Sequence, residues 1–135
     1  MDLVIDANIL FSICINTSKA EDILFSNGLN IFAPEFLFEE FKKYEEYILN
    51  KTKRNKLEFE KFLRVIEKRI KIIPNEETKQ FLEKARKISP DPNDVDYFAL
   101  ALKLHCAIWS NDKLLSRQSL IKIYGTNELI NKLNI

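Results

Sequence analysis

Two aspartates each lie just behind a short apolar run, one near each end of the chain. The segment 3-LVIDANIL-10 runs into Asp6, and 108-IWSNDKLL-115 runs into Asp112. Aspartate is a common turn residue, so either acid alone is explained by a turn into the next helix. Two apolar runs that both end on an acid favour another interpretation, a site built from carboxylates.

Two further acids are candidates for the same site. Glu40 lies in the predicted helix after the second apolar run, and Asp94 lies in the first turn of the helix before the fourth. Each has a structural alternative. An acid near a helix N-terminus is favoured by the helix dipole, by roughly 0.3–1 kcal/mol. Glu40, with Lys42 and Lys43 beside it, could belong to an ordinary charged helix face.

Four acids gathered without a lysine or arginine would repel one another. Two unit charges about 4 Å apart cost about 4 kcal/mol at an effective dielectric constant near 20. A divalent cation removes this cost. Oxygen ligands without a histidine cluster or thiolates favour Mg²⁺ or Mn²⁺ over Zn²⁺. Such a site activates water and holds a polynucleotide phosphate, which is the chemistry of metal-assisted phosphodiester hydrolysis.

Length and composition indicate the kind of protein that carries these acids. A chain of 135 residues with 46% hydrophobic content predicts a single domain spanning residues 1–135. The net charge of +1 indicates no general attraction to nucleic acid or membrane, and no apolar run approaches the roughly 20 residues of a membrane span. Cys14 and Cys106 lie far apart in apolar stretches, which predicts reduced core thiols in a cytoplasmic protein.

Short apolar runs alternate with longer segments of helical period, which predicts an α/β fold with a mainly parallel sheet. The predicted helices cover residues 18–26, a long segment opened by Pro34 and reaching Ile48, and residues 57–69, 75–88 and a stretch from Pro92 through Leu104. Most aromatic residues on these helices are predicted to lie in the core. The predicted strands are 2–6, 30–33, 70–73, 107–110 and 121–124.

A basic run, 50-NKTKRNK-56, separates the two long central helices. Such a run is typical of a solvated tip between helices. The functional alternative is a patch that contacts phosphates beside a catalytic site. The RNA-binding candidates there are Lys51, Lys53, Arg54 and Lys56.

The chain resembles the PIN domain nucleases over nearly its whole length. The opening 3-LVIDANIL-10 resembles the family's first strand and Asp-x-Asn, and 34-PEFLFEEF-41 resembles its proline followed by an acid on a helix. The most specific part, 91-DPNDVDYFALALKLHCAIWSND-112, resembles the family's acid, Ala-x-Ala helix, buried strand and closing Asn-Asp. The resemblance implies that Asp6, Glu40, Asp94 and Asp112 are the catalytic, metal-binding acids.

Several finer assignments follow from the resemblance. Glu40 is preferred over Glu39 because it precedes Phe41, as the family's acid precedes a residue that packs on the sheet. Asp94 is preferred over its neighbours because it stands five residues before the first alanine of the Ala-x-Ala pair, and Asp91 is predicted to cap a helix. The accessory candidates are Asn8, Asp96 and Asn111.

The resemblance also implies a three-layer α/β/α fold with strand order 3-2-1-4-5 and a Mg²⁺- or Mn²⁺-dependent endoribonuclease acting on single-stranded RNA. Many small members are toxins similar to VapC, inhibited by a small antitoxin protein and commonly homodimeric. Three alternatives stay open: a housekeeping PIN ribonuclease, a catalytically silent PIN fold that only binds, and a phosphatase of the haloacid dehalogenase type. The last expects Asp-x-Asp where this chain has Asp6 and Asn8.

Overall fold

The structure, a computed structural model describing residues 1–15, 19–52 and 54–135, centres on a five-stranded sheet. All the strand pairs are parallel, and the order is β3-β2-β1-β4-β5. Both the predicted fold class and the predicted order are confirmed. The strands are β1 (Asp2–Ile5), β2 (Asn30–Pro34), β3 (Ile70–Ile73), β4 (Ala107–Trp109) and β5 (Ile123–Tyr124).

The two central strands are apolar without alternation because helices cover both faces of the sheet. Leu3, Val4 and Ile5 of β1 are fully buried, as are Ile108 and Trp109 of β4. Parallel sheets are covered in this way, so their strands appear in sequence as continuous apolar runs rather than as alternating patterns. This is why the sequence located the strands well.

Helices cover both faces of the sheet. From β1 through β2 to β3, each new strand is added on the same side of the previous one, whereas the connection from β3 to β4 crosses back over the sheet. Crossovers between parallel strands are right-handed, so the helices of these two kinds of connection lie on opposite faces of the sheet. The helices are α1 (Ala7–Ile15), α2 (Lys19–Leu24), α3 (Phe36–Lys43), α4 (Glu45–Lys51), α5 (Lys56–Arg69), α6 (Asn75–Thr78), α7 (Leu82–Ile88), α8 (Val95–Leu104) and α9 (Thr126–Leu133).

Helix α8 packs across β1, β2 and β4. Its small residues Ala99 and Ala101 are fully buried and allow the helix axis to approach the sheet closely. The helix ends at His105, whose φ of 52° lies in the left-handed region that usually favours glycine. The Ala-x-Ala segment therefore fixes the height of α8 above the sheet, and with it the position of the acids at its N-terminus.

The predicted long helix from Pro34 to Ile48 is wrong in two respects. Pro34 is the last residue of β2, and the helical segment is divided at Tyr44 into α3 and α4. The expectation that its aromatic stripe is core holds for Phe41, which is 1% exposed, but fails for Tyr44 and Tyr47, which are 45% and 56% exposed. Tyr44 lies at the break between the two helices, and Tyr47 lies in the first turn of α4.

Three other elements differ from the sequence prediction. Helices α1 and α9 were not predicted, and the predicted helix 75–88 is interrupted by a 3-10 turn at Lys79–Phe81. The predicted helix 18–26 is observed as α2, with residue 18 outside the described residues. Each difference concerns a helix, whereas every predicted strand is present.

Two further features concern the cysteines and the lengths of the helices. Cys14 is buried and Cys106 half-buried, and both are free thiols. Within the described part of the chain, no helix is both long enough and apolar enough to cross a membrane.

Candidate active site

Asp6 and Asp112 lie at the same edge of the sheet, just beyond the carboxyl ends of the adjacent strands β1 and β4. Ile5 pairs with Trp109 in the parallel register, and the backbone N–H of Asp6 donates to the Trp109 carbonyl at 3.2 Å. The strand order reverses between β1 and β4, so this is the switch point where α/β sheets form ligand crevices. The topology therefore brings the first and last predicted acids together.

Asp6 is buried, with 4% of its surface exposed, and it also has a structural role. Its Oδ1 accepts a hydrogen bond from the Ile9 N–H at 2.9 Å, at the start of α1. Burial raises the pKa of Asp6, and the charge of Asp112 raises it further, while hydrogen bonds from the Ser110 hydroxyl and the Ile9 N–H lower it. The carboxylate is thus held by two donors in a place that disfavours its charge.

Ser110 connects the two strand-end acids and was not singled out from the sequence. Its side chain is 2% exposed; the Oγ accepts from the Asp112 N–H at 3.0 Å, and the hydroxyl donates to the Asp6 carboxylate. Asp112 in turn accepts from the Leu114 N–H at 3.0 Å through Oδ1 and starts a 3-10 helix. Only the position of Ser110 after a buried strand, two residues before an acid, could have identified it.

Glu40 and Asp94 approach the same place from two other elements. Burial raises the pKa of Glu40; Lys43 lowers it, and Asp96 and Asp6 raise it. Burial also raises the pKa of Asp94 to about 7, with additions from the charges of Asp91, Asp6, Asp112 and Glu40 in that order. These mutual effects indicate that the four predicted acids are electrostatic neighbours.

The four acids line one cavity of about 220 Å³, here called the acid cavity. Asp91 also lines it, although its Oδ1 accepts from the Asn93 N–H at 2.9 Å and caps the 3-10 turn before α8, so the predicted cap is confirmed. None of the described lysines or arginines contributes to the lining. The acid cavity is therefore strongly negative, and no basic side chain of the described residues balances that charge within it.

The sequence pattern of the PIN domain matches residues 4–132, which is almost the whole chain. The chain belongs to the PIN domain family. Among curated proteins none matches it in sequence. In fold, it is similar to a chain of the crystal structure described as VapBC2 from Rickettsia felis bound to a DNA fragment from their promoter, with a TM-score of 0.69 and 16% identity over 93% of this chain and 98% of that one.

The lining of the acid cavity in this PIN domain suits a divalent cation. Carboxylate oxygens predominate and raise one another's pKa, and the amides of Asn8 and Asn93 add neutral oxygens. Within the described residues, no three Asp, Glu, His or Cys side chains converge closely enough to hold one ion alone. A divalent cation that keeps part of its water shell would fit this wider arrangement.

The Tyr97 hydroxyl is a second feature of the acid cavity, independent of the carboxylates, that suits a hydrated cation. The residue is 1% exposed and lines the acid cavity, yet its hydroxyl is the one buried side-chain polar atom of the described residues without a hydrogen-bond partner. Burial raises the pKa of Tyr97, as do the charges of Glu40, Asp6, Asp94 and Asp96. A buried hydroxyl without a partner is costly, and a water on a bound cation would satisfy it. The sequence did not indicate this residue, since the family resemblance concerns the alanines that follow it.

The accessory candidates separate into different surroundings. Asn8 lines the acid cavity, whereas Asn111 uses its Oδ1 to accept from the Thr126 N–H at 2.8 Å and so holds the start of α9. Asp96 is half-buried beside Glu40, and burial raises its pKa while Arg86 lowers it. Glu39, the alternative to Glu40, lines neighbouring grooves and not the acid cavity.

The basic run is only partly available to a ligand. Arg54 donates from Nη1 to the Cys14 carbonyl at 2.8 Å, and its guanidinium lies 4.0 Å from the centroid of the Phe62 ring. Lys51 ends α4 and Lys56 begins α5, and both are exposed. Lys53 lies outside the described residues. The Arg54 side chain thus joins α1 to α5, a structural role that the sequence did not predict.

Proposed function

We propose that this PIN domain is a metal-dependent endoribonuclease that cleaves single-stranded RNA and acts in the cytoplasm. The observation that carries the proposal is the acid cavity, because five carboxylates line it and no described cationic side chain does. Such a cavity attracts divalent cations and repels an RNA phosphate until a cation is bound. The proposed cofactor is Mg²⁺ or Mn²⁺.

In this proposal Asp6, Glu40, Asp94 and Asp112 hold the cation, directly or through its waters. When bound, the cation would lower the pKa of a coordinated water and neutralise charge on the phosphate. The Ser110 hydroxyl and the Ile9 N–H keep the Asp6 carboxylate in place, and the Leu114 N–H does the same for Asp112. Those two acids are therefore preorganised, while Glu40 and Asp94 adjust to the ion.

The experiment that tests this activity uses a mixture of structured and unstructured RNAs. Wild-type protein should cleave the unstructured RNAs with Mn²⁺ or Mg²⁺ and should stop when EDTA is added. The Asp6→Asn variant retains a side-chain oxygen that can accept from Ile9, so it should fold but cleave at least about 100-fold more slowly. Equal cleavage by wild type and Asp6→Asn would point to a contaminating nuclease and contradict the proposal.

We further propose that the protein is the toxin of a toxin–antitoxin pair and forms a homodimer. The likeness in fold to a chain of a VapBC2 structure supports the toxin assignment, and the resemblance to small PIN toxins suggests the homodimer. Expression of the protein alone should arrest growth, and co-expression of a small protein from an adjacent gene should relieve the arrest. If the protein is a housekeeping ribonuclease, cells should tolerate its expression without a partner protein. If it is a silent binding module, it should bind RNA without cleaving it.

A further inference from the structure

A second groove opens beside the acid cavity and is larger, about 720 Å³. It lies among α1, α3 and α4 and is called the aromatic groove after the rings that line it, Phe11, Phe36, Tyr44 and Tyr47. Asn8, Glu40 and Asn93 line both depressions, so one opens directly into the other. A chain bound in the groove would therefore pass close to the four acids.

Some rings of the aromatic groove pack against core residues, and others are exposed to solvent. The Phe11 ring packs against Phe41 and against the edge of Tyr44, with centroid distances of 5.4 Å and 5.7 Å. Phe41 also stacks on Phe59 at 5.8 Å. Tyr44 and Tyr47 nevertheless remain about half exposed. The Tyr44 ring is thus held in place by Phe11, and both tyrosine rings offer aromatic surface to solvent, as the rings of a stacking platform do.

Lysines lie over both exposed rings. The Lys43 Nζ is 5.9 Å from the Tyr44 centroid, and the Lys51 Nζ is 5.6 Å from the Tyr47 centroid. Contacts of this kind at exposed sites are weak, so the ammonium groups can leave the rings for a phosphate. Lys43 also lowers the pKa of Glu40, which places its charge where the groove meets the acid cavity. The groove thus combines flat apolar faces with cations near the proposed site of cleavage.

We propose that the aromatic groove is a nucleotide subsite that holds an unpaired base of the RNA next to the phosphodiester bound at the acid cavity. This inference rests on the proposed ribonuclease activity and adds to it the way in which the substrate is selected. Tyr44 and Tyr47 offer faces for stacking, Lys43 and Lys51 meet phosphates, and Asn8 and Asn93 offer amides to a base edge.

The subsite explains a preference for single strands by the exposure of the bases. A base in a duplex has both faces stacked and its edge paired, so it cannot enter the groove without leaving the helix. Stacking on aromatic side chains tolerates any base, so the groove selects unpaired RNA rather than a sequence. Each base that stacks strengthens binding by about tenfold.

The test measures binding of a fluorescent 8-nucleotide RNA and of the same RNA with abasic positions. Asp6→Asn serves as background so that the RNA stays intact, and Mn²⁺ is present throughout. Tyr47→Leu and Tyr44→Leu should each weaken binding of the intact RNA by about tenfold and leave binding of the abasic RNA nearly unchanged. Tyr47→Phe, which keeps the ring, should bind as the background does.

The matched control is Phe25→Leu, because Phe25 is an exposed aromatic residue, 40% exposed, that does not line the groove. It should leave binding of both RNAs unchanged. Tyr44 packs on Phe11, so its replacement is accompanied by a thermal melt; Tyr47 makes the safer variant because it is 56% exposed.

The outcomes separate the subsite from the activity. If the wild type cleaves the RNA but Tyr47→Leu weakens the intact and abasic RNAs equally or not at all, the subsite is wrong and the nuclease proposal stands. The aromatic groove would then be a candidate binding site for a protein partner instead of RNA. If the wild type does not cleave, yet Tyr47→Leu selectively weakens the intact RNA, the nuclease proposal fails and the subsite belongs to a binding module.

Discussion

The acid cavity and the aromatic groove share a wall but hold their side chains in opposite ways. In the acid cavity, Asp6 is buried and held by the Ile9 N–H and the Ser110 hydroxyl, in surroundings that raise its pKa. In the aromatic groove, Tyr44 and Tyr47 are half exposed, and their lysines rest on them through weak contacts. The acid cavity holds carboxylates in surroundings that disfavour their charge, whereas the aromatic groove exposes apolar surface to solvent.

Under the two proposals above, the acid cavity and the aromatic groove have different roles. Constrained charges suit a reacting group that is held in one position, and they are costly until a cation is bound. Open aromatic faces act on ligands that vary in shape, and they contribute equally to binding before and during the reaction. Changes in the acid cavity should therefore lower kcat, and changes in the aromatic groove should raise KM.

The largest effect is expected at Asp112. The Asp112→Asn variant should lower kcat at least about 100-fold because it removes a charge that the cation requires, while KM changes little. Its side-chain oxygen can still accept from Leu114, so the melting temperature should not fall. Steady-state kinetics of Asp112→Asn beside Tyr47→Leu measure the contrast directly. A rise in KM for Asp112→Asn with kcat unchanged would remove the distinction between the regions.

The second largest effect is expected on the free energy of unfolding without metal, which should depend on pH through Asp94. The pKa of Asp94 is about 7 in the folded protein and ordinarily 3.8, so between these values the folded state binds more protons than the unfolded state. Stability without metal should therefore fall as pH rises from about 4 to 7 and then level off. The other raised carboxylates, Asp6, Glu40 and Asp96, act in the same direction.

Thermal melts at several pH values, with and without millimolar Mn²⁺, measure this effect. The rise in melting temperature caused by Mn²⁺ should grow from pH 6 to pH 8, because the carboxylates must lose their protons to bind it. Asp94→Asn should flatten the pH profile without metal. Sodium chloride at matched ionic strength controls for screening, and an equal shift with sodium would mean that no site is filled.

A smaller effect is expected at Tyr97. Tyr97→Phe removes a buried hydroxyl that has no partner, so the metal-free protein should be more stable by about 1 kcal/mol. The same change should weaken Mn²⁺ binding several-fold, because the hydroxyl would no longer meet a water of the ion. Tyr124→Phe is the control, since Tyr124 lies in β5 outside the acid cavity. A loss of stability without metal would show that the hydroxyl already has a partner.

The smallest effect is expected in the basic run. Changing Lys51 and Lys56 together to alanine should reduce the log–log salt slope of RNA binding by about 0.7 for each phosphate that is no longer neutralised, with kcat at saturation unchanged. Lys53 can be added to this set. Arg54 is left out because its hydrogen bond to the Cys14 carbonyl makes its removal a change in folding stability. The control is Lys122 and Lys132 changed together, and an equal reduction of the slope there would indicate a general charge effect.

The sequence predicted the sheet and its acids because both depend on local signals. Strands buried on both faces are unbroken apolar runs, and Asp6 directly follows one of them while Asp112 comes three residues after the end of another. The helices were harder to predict. Helix α1 is apolar nearly all round, so it has little of the amphipathic period that identifies helices such as α5.

The parts that were missed depend on packing between distant segments. No local pattern breaks the helix at Tyr44, whose ring packs against Phe11 from another helix. Nor does the sequence reveal that Arg54 reaches Cys14, or that Ser110 lies between two acids that are far apart in the chain. Tyr44 and Tyr47 were predicted to be core for the same reason, because helical spacing does not show what covers a helix face.

The hydrogen bonds of the acids bear on how such a protein would lose its activity during evolution. Asp6 and Asp112 accept backbone N–H groups that start α1 and a 3-10 helix, so selection for folding alone would retain them. Among the hydrogen bonds of the described residues, the side chains of Glu40 and Asp94 have no such bond, and their crowding is unfavourable without a cation. A descendant that had become silent would drift first at positions 40 and 94. Among relatives of this chain, acids retained at these two positions would therefore be the more telling sign of selection for chemistry.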